Sequence, residues 1–217
     1  MSSRASELIV VLLGPPGAGK GTQGERIAAA LGIPKLATGD VLRVAVKEGT
    51  KLGLEAKGFM DRGDLVPDSV ILGIIKEALL SPTYANGAIL DGVVRTVPQA
   101  EGLKAMTRDI GKQVDVVLDF EIADEVLVTR LSDRTVCSVT QKPYTGHQPG
   151  TPTPDGGVHV RRKDDEPEAI RNRLKVYHAQ TKPVLDWYVG EGANVQHIDA
   201  VGSFDDVFAR ALKAVGR

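Results

Sequence analysis

Leu8-Ile9-Val10-Val11-Leu12-Leu13-Gly14-Pro15-Pro16-Gly17-Ala18-Gly19-Lys20-Gly21-Thr22 is the stretch that decides the fold. An apolar run of strand character enters a glycine-rich turn, and a helical pattern from Gln23 to Leu31 comes next. Strand, glycine-rich loop and helix, in that order, are the context a phosphate-binding loop needs. Glycine allows the φ > 0 turns and the close backbone approach that an anion requires. The helix start adds unpaired N–H groups and the positive end of a dipole. Lys20 supplies a cation for the outer phosphates. The spacing fits G-x-x-x-x-G-K, with Gly21 next and the hydroxyl one place later, at Thr22. The plain alternative, a glycine-rich turn with a surface lysine, does not account for the flanking strand and helix.

Outward from this loop, apolar runs alternate with helical patterns, which predicts βαβ units around a parallel sheet. Strands are expected at 8–13, 35–37, 88–91, 114–120 and 195–198. Helices are expected at 19–31, 40–48, 52–62, 68–80, 97–110, 123–134, 167–189 and 204–215. Ile170, Leu174, Tyr177, Thr181, Val184 and Tyr188 give the long one an apolar stripe. Pro183 inside it should kink or break it. The expected fold is a phosphate-loop α/β/α sandwich on a five-stranded parallel sheet. Residues 38–66, two short helices, and residues 135–165, rich in Pro, Gly, Thr and charge, fall outside the alternation. A loop of the second length without regular structure points to a lid, a surface insertion being the blander reading.

With 217 residues, the chain suits one sizeable domain with insertions. A formal net charge of −1 gives no basic field for nucleic acid or an anionic membrane. Aromatics at 4% leave no base-stacking platform. No apolar run is long enough to span a bilayer, and the N-terminal run is too short for a signal peptide. A lone cysteine, Cys137, excludes an internal disulfide and suits a reducing cytoplasm.

Three further segments extend the pattern: Thr38-Gly39-Asp40-Val41-Leu42-Arg43, Leu90-Asp91-Gly92-Val93-Val94-Arg95-Thr96-Val97-Pro98-Gln99, and Arg162-Lys163-Asp164-Asp165 with Arg173 eleven residues after Arg162. With the phosphate loop they resemble the signatures of adenylate kinases, in that family's order and across nearly the whole chain. The resemblance implies reversible phosphoryl transfer from MgATP to AMP, giving two ADP. It implies a core of residues 1–36, 67–132 and 166–217, an AMP-binding flap at 37–66 and a lid at 133–165. It also implies a cytoplasmic monomer that binds ATP, AMP and ADP, with no nucleic acid or membrane partner.

Phosphoryl transfer asks for in-line positioning, charge neutralisation and exclusion of water. Arginine suits it, because its planar fork binds phosphate bidentately and stays charged. By resemblance, Gly17, Ala18, Gly19, Lys20, Gly21 and Thr22 wrap the ATP phosphates. Arg134 contacts them from the lid hinge, Arg130 lies against the adenine, Tyr144 is a lid aromatic, and Gly202 is near the adenine. Arg130 and Arg134, four apart, are expected on one helix face. Arg43, Arg95, Arg162 and Arg173 surround the AMP phosphate and the transferred group. Thr38 and Gln99 meet the AMP adenine, with Asp64, Leu65, Val66 and Gly92 beside them. Lys20, Arg95, Arg134, Arg162 and Arg173 form the catalytic set. Asp91 is expected to hold the water shell of Mg²⁺, which keeps several waters and takes few protein ligands.

Two departures from the family stand out. Val93-Val94 replaces Phe-Pro before Arg95, which predicts a trans, differently stiffened turn and weaker AMP binding or slower turnover. Cys137, Thr140, Pro152 and Asp155 stand where zinc-bearing lids have two C-x-x-C pairs. Proline has no ligating side chain and threonine is a poor ligand, so no structural zinc is expected. A UMP/CMP kinase on the same fold and a binding module without catalysis remain the competing readings.

Overall fold

The computed structural model describes residues 7–216. Strand β1 (Leu8–Leu13) leads into helix α1 (Lys20–Leu31), then β2 (Lys35–Ala37), α2 (Thr38–Glu48), α3 (Lys51–Arg62) and α4 (Asp68–Leu80). Strand β3 (Gly87–Asp91), helix α5 (Val97–Asp109), strand β4 (Val116–Glu121) and helix α6 (Asp124–Ser132) come next. The insertion after α6 holds β5 (Arg134–Cys137), β6 (Pro143–Thr145) and β7 (His159–Val160). Helices α7 (Pro167–Val176) and α8 (Lys182–Gly190), strand β8 (Val195–Asp199) and helix α9 (Phe204–Ala214) complete the chain.

Among the described residues, the main sheet is five-stranded and parallel, in the order β2-β3-β1-β4-β8. Its central strand explains the uninterrupted apolar run in the sequence. Ile9, Val11 and Leu13 face one core, with Ile75, Leu90, Leu103 and Val184. Val10 and Leu12 face the other, with Ile27, Leu118, Phe120, Leu127 and Ile198. A parallel strand covered on both faces has no polar side to show.

The carboxyl ends of β1, β3 and β4 lie together, and the phosphate loop is built there. Gly14 has φ 129°, and a Cβ on it would meet the Phe120 carbonyl oxygen at 2.5 Å. Glycine is therefore fixed by both torsion and contact with β4. Gly17 rests on Leu131 of α6, where a Cβ would approach its Cγ at 3.0 Å. The core thus sets the curvature of the loop.

Three expectations need correction. Helix α6 ends at Ser132 and Arg134 opens β5, so Arg130 and Arg134 do not share a helix face. The 135–165 segment is not a structureless loop. β5 pairs antiparallel with both β6 and β7, which turns the Pro- and Gly-rich stretch into a small sheet. The expected single helix at 167–189 is interrupted before Pro183 by a π-turn over Tyr177–Thr181. Proline offers no N–H and crowds the carbonyl four residues back, and the wider turn relieves both. The other predicted elements form within two residues of their expected ends.

Phe120 is fully buried and supports the loop through Gly14. Phe120→Ala is expected to cost about 3–5 kcal/mol of stability. Urea denaturation should show a lowered midpoint with an unchanged slope.

Candidate active site

Helix α1 begins without a side-chain cap, its N-terminal residue Gly19 lying in the left-handed region at φ 91°. The positive end of its dipole faces the loop. Lys20 Nζ folds back onto the loop, donating to the Gly14 and Pro15 carbonyls at 2.7 and 2.8 Å. Burial lowers its pKa to about 8, opposed by Asp91 and reinforced by Arg95 and Arg173. The Asp91 carboxylate ends β3 beside the loop, 3.4 Å from where a Cβ on Gly21 would stand. A carboxylate at that distance from the loop backbone suits the outer waters of a phosphate-bound Mg²⁺.

The loop faces α6 and the β8–α9 connection. Arg130 Nη2 donates to the Ala200 carbonyl at 3.2 Å, two residues before Gly202, which has φ 119°. Gln23 Nε2 donates to the Phe204 carbonyl at 2.9 Å, tying the same connection to α1. Phe204 is itself exposed. The expected ATP residues Gly17 to Thr22, Arg130 and Gly202 therefore border one surface.

A separate pocket opens between the sheet end, α2, α3 and α7. Its lining includes Thr38, Arg43, Asp64, Leu65, Val66, Gly92, Arg95, Gln99, Arg162 and Arg173. Every residue expected around AMP is in that lining. Thr38 Oγ1 donates to the Gly92 carbonyl at 2.8 Å. The Gln99 amide accepts from the Arg95 N–H at 2.7 Å and donates to Asp68 Oδ1 at 2.7 Å. It keeps one N–H and one lone pair for a ligand. Gly92 has φ 64°, and a Cβ there would lie 2.9 Å from the Arg95 guanidinium.

Four arginines meet three carboxylates at one edge of this pocket. Arg134 binds Asp165 in bidentate fashion, Nε at 2.8 Å and Nη2 at 2.6 Å. Arg173 Nη1 donates to the same carboxylate at 2.9 Å. Arg162 binds Asp164 through Nε at 2.8 Å and Nη2 at 2.6 Å. Arg43 pairs with Asp40. Burial pushes the Asp164 pKa up, but Arg173 and Arg162 more than offset it and hold the carboxyl well below the usual range. Its charge therefore persists at neutral pH and keeps the guanidiniums together.

Asp68, Asp164 and Asp165 were not expected at the site. The first carries no motif, being revealed by its bonds to Gln99 and Thr96. The other two stand in the Arg162–Asp165 segment, where sequence reasoning tracked the cations and passed over their counterions.

Tyr144 lies in β6, its hydroxyl donating to Asp155 and its ring edge-on to His159 at 4.9 Å between centroids. Thr153 Oγ1 donates to Cys137 Sγ at 3.1 Å and Thr140 Oγ1 to Asp155 Oδ2 at 3.3 Å. Pro152 bridges to Val158. A hydrogen-bonded cluster thus occupies the positions where zinc-bearing lids carry their ligands.

A family model described as adenylate kinase matches residues 12–193. An adenylate kinase of Gemmatimonas aurantiaca is 62% identical over 211 residues, 96% of this chain and 99% of that protein. One of Methanosarcina barkeri is 45% identical over 212 residues, 95% of this chain and 97% of the other. One of Lysinibacillus sphaericus is 43% identical over 205 residues, 92% and 94% respectively.

The lowered Lys20 pKa carries a prediction. A bound phosphate chain restores the ammonium, so above pH 8 binding must take up a proton. Affinity for a nucleoside triphosphate should fall about fivefold between pH 8 and pH 9. Calorimetric titration in buffers of different ionisation enthalpy reads both effects, and Lys20→Met should remove the proton uptake. Asp165, 1% exposed, carries a second. Asp165→Ala leaves Arg134 and Arg173 crowded without their shared counterion and should cost about 3–5 kcal/mol in chemical denaturation.

Proposed function

The chain belongs to the adenylate kinase family, and from that premise we propose how its own residues divide the work. It is an ATP:AMP phosphotransferase. ATP sits on the phosphate loop with its base between Arg130 and the loop around Gly202. AMP fills the pocket lined by Thr38 and Gln99. The observation that carries this reading is the convergence of Arg43, Arg95, Arg162 and Arg173 on one pocket, with Arg95 and Arg173 near enough to Lys20 to lower its pKa.

Residues 1–36, 67–132 and 166–217 act as the core, 37–66 as the AMP flap and 133–165 as the lid. Closure of such a lid is a general device for excluding water, adenylate kinase itself being a standard example. Arg134 stands at its hinge. With AMP bound, its phosphate oxygen is the nucleophile and no general base is needed. Lys20 and the arginines neutralise charge that spreads over the transferred group and hold donor and acceptor in line. Asp91 would hold Mg²⁺ through water, and the ion supplies further neutralisation of the phosphate oxygens. The lid's hydrogen-bonded cluster stands in place of a structural zinc, and we expect the enzyme to need none. A cytoplasmic monomer is our reading. No helix among the described residues is long and apolar enough to cross a membrane.

Val93 and Val94 are buried in the core cluster that also holds the pocket residues Leu42, Val66 and Ile71. We expect them to tune AMP affinity or rate and to leave the reaction unchanged. Coupled turnover with MgATP and AMP, UMP, CMP or GMP tests the assignment. AMP should be preferred by at least about tenfold, and Lys20→Ala should lose about a hundredfold or more in rate. Faster turnover of UMP or CMP would identify a pyrimidine kinase, and triphosphate binding without transfer would identify a binding module.

A further inference from the structure

We infer that Thr181 is a positioning residue for Arg95, delivered to it by the π-turn between α7 and α8. The inference rests on the reading that Arg95 meets the transferred phosphoryl group. Across Tyr177–Thr181 the helix carries an extra residue, and the Lys182 N–H donates to the Tyr177 carbonyl five residues back. One inserted residue rotates the next stretch of helix by about 100°. A threonine inside a helix commonly bonds a carbonyl of its own preceding turn. Thr181 does otherwise. Its hydroxyl donates at 2.8 Å to the Arg95 carbonyl, and Thr181 itself is buried.

The opposite side of Arg95 is held as well, its N–H donating to Gln99 Oε1 at 2.7 Å. Gln99 is anchored by Asp68 and by its own N–H on Thr96 Oγ1 at 3.2 Å. Both peptide groups flanking the Arg95 Cα are therefore fixed by side chains. This matters because Val93 and Val94, which precede it, have no ring to fix φ as proline does. A long arginine is aimed by the direction of its Cα–Cβ bond, and here two hydrogen bonds set that direction. Gln99 also lines the pocket, whereas Thr181 does not. An effect of Thr181 on the reaction must therefore pass through Arg95.

The test compares Thr181→Val, Thr181→Ser and Arg95→Ala with the parent enzyme, varying ATP and AMP separately and recording thermal melting. Misplacing a reacting group by about 1 Å costs about a hundredfold in rate, and a loosened arginine should cost about tenfold. Thr181→Val is expected to lower kcat about tenfold and raise the KM for AMP several-fold. The KM for ATP should not move, and Thr181→Ser should recover most of the loss. Parental kinetics in Thr181→Val beside a collapsed Arg95→Ala would overturn the inference. So would equal damage to both nucleotide constants that tracks a lowered melting temperature. Parental kinetics in Arg95→Ala would instead remove the role assigned to Arg95 itself. If Thr181→Val does not fold, Thr181→Ala removes the same hydroxyl with a smaller, helix-favouring side chain, and the same outcomes decide.

Discussion

The pair Asp164–Asp165 is the constraint on which the site depends. Arg134, Arg162 and Arg173 carry like charges into a small volume, and without counterions they would repel and turn outward. Asp165 accepts from two of them while fully buried, and Asp164 takes the third. The carboxylates come from a single short turn, Lys163–Asp165, between β7 and α7. One segment therefore gathers arginines from the start of β5, from its own N-terminal flank and from α7. Carboxylates of the chain itself thus hold the cation cluster together, the kind of preorganisation that lets fixed charges act without rearranging.

The sheet supplies the second half of the arrangement. Burying both faces of β1 requires helices on both sides, and that requirement brings the ends of β1, β3 and β4 to one edge. The phosphate loop caps β1, Asp91 ends β3, and Phe120 on β4 supports Gly14. Gly92 and Arg95 then lead directly from β3 toward the pocket. The phosphate loop and the arginine pocket come together because neighbouring parallel strands end at the same level. Position in the sheet, more than any single contact, sets the distance between Lys20 and the arginine cluster.

Much of this was legible in the chain. The apolar run before Gly14 announces a strand buried on both faces, and the glycine spacing announces the loop. The segments around Thr38, Arg95 and Arg162 mark the pocket, which the fold assembles from four separate stretches. The features that stayed hidden depend on long-range pairing. The small three-stranded sheet uses strands as short as His159–Val160, whose alternation is too brief to register as a period. Arg134 continues the polar pattern of α6, and only its pairing with Thr145 makes it a strand residue. Asp68 and Thr181 bear on the site through hydrogen bonds to residues distant in sequence, which no local pattern encodes. The π-turn was half-visible, since Pro183 marked a disturbance without stating its form.

The central claim is that an arginine pocket, preformed by buried carboxylates, receives the monophosphate. Nitrogen-detected NMR of the guanidinium Nε signals during titration with AMP alone tests it most directly. The account predicts that Arg43, Arg95, Arg162 and Arg173 shift together and saturably, with Arg130 unmoved. Shifts at Arg130 and around Gly202 without any at those four would contradict it.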